Sequence, residues 1–243
     1  MEAVLFAEMA AMEERHWWFA ARRRVLLTLL ARNLLPSPSV CVCDLGCGCG
    51  ATLMRLQPLY DACGMEAAPE ALAFCTQKGL KVRKGSLPDD VTYPDSSFDA
   101  CLMLDVLEHI EKDGEAVMAA RRLLKPGGVL LATVPAFPSL YSGRDTFHGH
   151  KRRYTHAAFQ ALFPADSFKV MKLTFFNSFL FGPAALTRLL RKWSGRNTPG
   201  PDLSIPPAPL NALLGWFFAL ERFPLTLGGF PAGLSLLCMV RKK

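Results

Sequence analysis

The feature that most constrains the fold is the decapeptide CVCDLGCGCG at 41–50. A β-rich run ends on an acid, Asp44, and glycines then alternate with other small residues. Such a loop brings backbone close to a ligand at the carboxyl edge of a parallel sheet, where open α/β sheets bind cofactors, because a Cβ would block the approach. The four cysteines raise a metal alternative. Zinc sites usually show CxxC or Cys/His pairs that converge on a tetrahedron. Here the spacing is CxC, three residues, then CxC, with no second cluster to complete a ligand set. Cysteine therefore reads as a small packing residue, and no metal is expected.

Residues 2–33 carry apolar and aromatic residues at helical spacing with no Gly or Pro, which predicts one or two helices ending before Pro36 and Pro38. Beyond the glycine loop, short strands near 62–65 and over KVRKG, SFDACLML and GVLLATVP alternate with two helices. One is PEALAFCTQKG, closed by Gly79; the other is DGEAVMAARRLLKPGG, with Asp113 as its N-cap and Pro-Gly-Gly as its stop. This alternation predicts a parallel sheet with helices on both faces. FKVMKLTFF and LSLLCMV supply two last strands. At 243 residues one domain is expected. It divides into an N-terminal helical lid (1–36), a core (37–175), an apolar helical cap (176–233) and a last strand (234–243).

Charge and hydropathy single out the C-terminal part. Residues 1–143 hold 14 Lys and Arg against 17 Asp and Glu, whereas residues 144–243 hold 14 against 4. A basic half attracts nucleic acid, an anionic membrane surface or a phosphate-bearing small molecule. Mean hydropathy is +0.19, and the apolar excess sits in that same half. Its uncharged stretches 203–220 and 223–240 are broken by prolines, so neither makes the spanning helix of about 20 apolar residues a bilayer needs. APLNALLGWFFALERF is apolar nearly all round and is expected to be buried or to lie against an apolar partner. The first eighteen residues carry four glutamates and no early basic run. No secretory signal is expected, and the eight cysteines then read as free thiols in a reducing, cytoplasmic compartment.

Four stretches in order, DLGCGCG, GMEAAPEAL, SFDACLMLDVLEHI and LLKPGGVLLATVP, resemble the class I S-adenosylmethionine-dependent methyltransferases over about residues 40–135. The flanks HWWFAARRR (16–24) and GHKRRYTHAAF (149–159) resemble a small-molecule subgroup of that family. The resemblance implies an α/β, Rossmann-like, doubly wound sheet of seven mostly parallel strands. Its last strand would be antiparallel, with the hydrophobic insertion before it placed over the active edge. It implies that Asp44, Gly46, Cys47 and Gly48 line the cofactor and that Gly50 keeps the following helix close to the strand. Glu66 would accept hydrogen bonds from both ribose hydroxyls, since a carboxylate suits two adjacent donors. Ala67 would pack on the adenine, and Leu104 and Asp105 would lie under the sulfonium. Where the family often has an adenine-binding acid, this chain reads Gly85-Ser86, so Ser86 or Asp89 takes that place or backbone groups alone read the adenine, with Leu87 also expected at the cofactor. Phe19 and Arg23 would touch the cofactor from the lid.

Methyl transfer from a sulfonium needs chiefly an acceptor held in line and water kept out. A base is required only if the acceptor loses a proton; the candidates are His148, His150 and Asp105, with His109 expected to pack and hydrogen-bond locally. Arg152 and Arg153 are candidates to hold an anionic group of the acceptor. The expected partner is a small acceptor, lipid-like or anionic, with peripheral association to an anionic membrane or a homodimer interface as roles for the cap. Nucleic acid is disfavoured, because LDVL stands where base methylases show an Asn/Asp-Pro-Pro-aromatic segment. The alternatives are a non-catalytic cofactor-binding or peripheral membrane protein with the same fold, or a nucleotide-dependent oxidoreductase.

Overall fold

The computed structural model describes residues 3–193 and 205–243; the 194–204 part of the expected cap lies outside them. Helices α1 (Ala3–Arg15) and α2 (Trp17–Asn33) precede the first strand. They break at His16, whose ring accepts a hydrogen bond from Trp18 N at 3.2 Å and so caps α2. The strands are β1 (Ser37–Leu45), β2 (Tyr60–Glu66), β3 (Val82–Lys84), β4 (Phe98–Leu104), β5 (Leu124–Pro135), β6 (Phe168–Phe176) and β7 (Ser235–Lys242). Between them run α3 (Leu53–Leu56), α4 (Pro69–Gln77), α5 (Asp113–Leu123), α6 (Gly143–Phe147) and α7 (His156–Ala161), then α8 (Phe181–Trp193), α9 (Ala208–Ala219) and α10 (Arg222–Leu227).

One sheet takes the order β3-β2-β1-β4-β5-β7-β6. The pairs from β3 to β5 are parallel, and β7 is antiparallel to both its neighbours. This is the doubly wound order with a reversed last strand. Alternation along the strands sorts the core into two layers. Val42, Leu102, Leu131 and Leu237 pack with Leu26, Leu29 and Leu30 of α2. Cys43, Met103, Leu130 and Cys238 pack with Val117 and Ala120 of α5 and Phe159 of α7. Each fully buried Leu in these layers stabilises by about 1.5–3 kcal/mol.

Two boundaries differ from expectation. Helix α5 is capped at Lys112, with Asp113 already inside it. The Pro-Gly-Gly segment does not stop that helix, because Leu124 is already paired with Phe98. Pro126 to Gly128 form a bulge in β5, Gly127 taking φ +74°, while Lys125 Nζ meets Asp99 Oδ2 at 2.8 Å.

Because β6 is parallel to the core, its end delivers the chain to the carboxyl edge, where α8, α9 and α10 form the connection to β7. Two side chains pin this cap. Asn211 of α9 accepts from Trp17 N (3.0 Å) and donates to Arg15 O (2.9 Å), so it serves both free backbone groups at the α1–α2 break. Fully buried Glu221 accepts from the backbone N–H of Asn177, Ser178 and Phe179 at 2.6–2.8 Å. Trp17 also meets Phe218 edge to face at 6.2 Å. Among the described residues, no helix is long and apolar enough to cross a membrane.

Candidate active site

Strand β1 ends at Leu45 and the chain turns at once, with Gly46 at φ +74° and Gly48 at φ +55°, a region where a side chain is strained. Gly46 N and Cys47 N both donate to Met65 O (2.7 and 3.2 Å), folding the loop over the end of β2. A Cβ on Gly46 would stand 2.7 Å from Val106 Cγ2. Gly50 is different. It is buried, and a Cβ there would collide with Leu80 and lie 2.9 Å from Cys75 Sγ. Its role is packing against α4 rather than contact with a ligand.

A cavity of about 1030 Å³ opens over this loop, at the upper end of ordinary ligand pockets. Asp44, Gly46, Cys47, Gly48, Glu66 and Ala67 line its floor. Glu66 Oε2 accepts from Gly48 N (2.9 Å), and Oε1 accepts from Ala67 N (2.9 Å) and Ala68 N (3.0 Å). These bonds use about three of the four acceptor positions of a carboxylate. One ribose hydroxyl can be received directly, and a second must displace a backbone donor. Ser86 and Leu87 also line the cavity; Asp89 is exposed and does not. No acid therefore stands at the expected adenine position.

The charge of the floor is the strongest indication of what fits. Burial, and then the charges of Glu13 and Glu66, push the Asp44 carboxyl up to about 7. Burial pushes Glu13 to about 7 as well, against the opposing pull of Arg23 and Lys78. Glu13 Oε2 is buried without a hydrogen-bond partner, and its Oε1 lies 3.6 Å from where a Cβ on Gly48 would be. Three carboxylates crowded at a glycine turn favour a cationic ligand. An ammonium relieves both the repulsion and the unmet hydrogen bond, a sulfonium relieves the repulsion, and S-adenosylmethionine carries both groups. The residues fit that cofactor.

Sequence reasoning missed Glu13 and Arg22. Both are charged groups continuing an apolar helical stripe, Glu13 after Met9 and Ala10 and Arg22 before Val25 and Leu26, and that off-pattern charge was the available signal. Phe19 and Arg23 of α2 line the cavity as expected, together with Trp17 and Trp18. Buried Arg22 reaches Asp105 Oδ2 at 2.8 Å and Thr133 Oγ1 at 2.6 Å. The other Asp105 oxygen accepts from Thr133 Oγ1 at 3.0 Å. Asp105 thus lies beside Leu104 on the cavity wall, but with both oxygens engaged it is poorly placed to take a proton.

The far wall is the segment after β5. His148 and His150 line the cavity with His109, and the rings of His109 and His150 meet edge to face at 4.8 Å. Burial, then the nearby Arg144 charge, lowers His148 to about 4. His150 Nδ1 lies 3.1 Å from Asp145 Oδ1, which also receives Arg153 Nε at 2.8 Å. His109 makes the expected local contact, Nδ1 to Gly149 O at 3.2 Å. The arginines depart from expectation. Arg153 is buried on Asp145 and Ala136 O, and Arg152 pairs with Glu111 and Asp113, so both neutralise the protein's own acids.

The cysteines of the opening decapeptide disperse. Cys43 joins one core layer, Cys47 the other, and Cys49 packs with Ala10 and Ala71. All eight cysteines are free thiols, and burial pushes Cys49 up to about 12, away from the thiolate form a metal would need.

The sheet order with its reversed last strand is that of the methyltransferase Rossmann-like fold. Residues 43–132 match the family described as "Methyltransferase domain". A protein described as a probable S-adenosylmethionine-dependent methyltransferase from Mycolicibacterium smegmatis is 34% identical over 67 residues, 28% of this chain and 26% of that protein. The match thus spans about a quarter of that relative's length. Among solved structures, a chain of the Haloferax volcanii complex containing the Trm112 methyltransferase activator superposes with a TM-score of 0.61 at 20% identity. The superposition covers 98% of this chain and 94% of that one. The plantazolicin methyltransferase BpumL, solved with SAH, gives 0.60 at 13% identity over 98% and 89%. At these identities the superpositions speak for the fold. Residues 43–132 thus match a methyltransferase domain, and the relative that this part of the chain resembles is described as S-adenosylmethionine-dependent.

Proposed function

We propose that this protein transfers the methyl group of S-adenosylmethionine to an oxygen or nitrogen of a small, apolar, lipid-like acceptor. One observation carries the reading: a single cavity joins the carboxylate-rimmed glycine turn to His148 and to cap residues Leu180 and Pro183. Bound there, the cofactor supplies an activated methyl group on a cationic sulfur. Glu66, Glu13 and Asp44 hold its sugar and positive charges, and Arg23 meets its carboxylate. Phe19, Trp17 and Trp18 close the lid over the site and exclude water, which strengthens every charge interaction inside. Arg22 fixes Asp105 and with it the wall at the end of β4. His148, neutral at physiological pH, takes the acceptor's proton where one must leave, and His150 is held in place by Asp145.

Apolar character continues onto the outer surface of the cap, where Leu213, Trp216, Phe223 and Leu227 are each more than half exposed. That face suits an acceptor drawn from an anionic lipid surface, given the surplus of basic residues after 143. Mass spectrometry of cell extracts incubated with the protein and methyl-labelled cofactor tests the transfer. The reading requires a labelled apolar product that disappears with Glu66→Ala; release of no labelled product would refute it. Sedimentation with anionic liposomes at low and high salt tests the surface. Binding lost at high salt supports it, and no binding at low salt, or a homodimer that covers the face, opposes it.

A further inference from the structure

We propose that Glu108, His109 and His150 form a binding site for a first-row divalent cation on the acceptor side of the cavity. A carboxylate oxygen of Glu108 and one ring nitrogen of each histidine lie within 4.8 Å of one another. All three residues line the cavity.

Glu108 is the observation that demands a ligand. The residue is fully buried, and neither carboxylate oxygen has a hydrogen-bond partner. A buried polar group left unpaired costs about 1–3 kcal/mol, and more if charged. A protonated Glu108 would still lack acceptors and donors, whereas a cation satisfies the oxygens directly. The residue is not misplaced by a loose backbone: Glu108 O accepts from Lys151 N at 2.8 Å, and Leu107 O accepts from Tyr154 Oη at 3.1 Å. The turn Leu107–His109 and the segment 149–154 are knit together, and the side chains in question stand between them.

The two histidines are prepared as ligands. His150 Nδ1 faces Asp145, whose carboxylate also takes Arg153 Nε and the backbone N–H of Ser142 at 2.9 Å. The Arg153 guanidinium and the Ser142 N–H both donate to Asp145, so its carboxylate stands there as an acceptor. An ionised carboxylate only accepts, so Nδ1 of His150 carries the proton. Gly149 O likewise accepts only, so Nδ1 of His109 carries the proton there. A metal binds imidazole in its neutral form, and in that form both rings present Nε2 as the free ligand atom. A carboxylate or a carbonyl behind the opposite nitrogen is the arrangement that orients metal-binding histidines. His150 Nε2 stands 4.0 Å from Glu108 Oε1. Ligands about 2.1 Å from a tetrahedral metal are about 3.4 Å apart, so a side-chain adjustment of about half an ångström closes that edge.

Two imidazoles and one carboxylate select a borderline cation such as Zn²⁺, Fe²⁺ or Co²⁺ over Mg²⁺ or Ca²⁺, which prefer oxygen alone. Three protein ligands leave coordination positions open, and here they open into the cavity. The class of ligand they take is an anionic or ionisable oxygen, as in a phenol, an enol or a carboxylate. Assigning that oxygen to the methyl acceptor rests on the methyl-transfer reading; the cation site itself does not.

The test uses the full chain stripped with chelator and titrated with Co²⁺ alone. One equivalent should give visible absorption of a mixed nitrogen and oxygen site, displaced by Zn²⁺. Glu108→Gln should abolish the band and weaken binding by more than about 100-fold. Should that variant fail to fold, His109→Asn, at a half-buried position, carries the same expectation. Calorimetry with SAH on the same samples separates the two readings. SAH binding without a cobalt band, or a band unchanged in both variants, overturns the cation site and spares the cofactor site. A band without SAH binding does the reverse.

Discussion

Replacing Asp44 with Asn should make the ligand-free protein more stable at neutral pH while weakening its hold on the cofactor. Asp44 is 2% exposed, and burial followed by the charges of Glu13 and Glu66 raises its carboxyl from 3.8 to about 7. The sign follows from proton counting. Between those two values the unfolded chain has released the proton and the folded one has kept it, so stability falls as pH rises and levels off above about 7. The loss grows from about 2 kcal/mol at pH 5 to about 4 kcal/mol at pH 8. Asn has no such proton. The stability of Asp44→Asn relative to the parent should therefore rise by about 2 kcal/mol between pH 5 and pH 8. Urea denaturation of both proteins at the two pH values reads it out, since the titrations of groups not coupled to Asp44 cancel in the difference. With saturating SAH the advantage should shrink, because the cationic end of the ligand stabilises the charged carboxylate. A relative stability that is flat with pH, or that falls, would refute the electrostatic account of the floor.

Other perturbations address separate parts of the site. Glu66→Ala removes acceptors for both the loop and the ribose, and calorimetry with SAH should show a loss of about 1.5–3 kcal/mol per charge-assisted bond; unchanged affinity would remove Glu66 from its role. Glu221→Gln turns one acceptor oxygen toward a backbone donor as an amide NH₂, and should cost about 2–3 kcal/mol in urea denaturation. The same variant should also expose the 176–181 backbone to hydrogen exchange; unaltered protection would show that Glu221 does not anchor the cap. Arg22→Met strands Asp105 beside Thr133 and should destabilise by about 3 kcal/mol, an effect that a simultaneous Asp105→Asn change should largely relieve. SAH affinity should rise with pH between 6 and 8 as Glu13 and Asp44, both near 7, give up their protons; an affinity that falls across that window would contradict their assignment to the cationic end.

The glycine turn, the acid at the end of β2 and the strand–helix alternation were legible because each is local. A strand followed by glycines states its own geometry, and Glu66 stands in the segment GMEAAPEAL that the family shares. The reversed last strand and the cap's position at the active edge followed from the family resemblance and agree with the sheet order. The partnerships were not legible. Arg22 with Asp105 spans 83 positions of chain, and the place of His150 beside Glu108 depends on how two loops fold together. Asp105 offers the clearest case: its sequence position suggested a base, but the guanidinium that occupies it comes from α2, far away in the chain. Arg152 and Arg153 looked free to hold an anion for the same reason, since their acids arrive from other segments.

The most direct measurement is a crystal structure of the complex with SAH. The account predicts the ribose on Glu66 at the end of β2, with the amino group between Glu13 and Asp44 beside the Gly46–Gly48 turn. Electron density for the nucleoside anywhere else, or a ligand whose amino end points away from those two carboxylates, would contradict it.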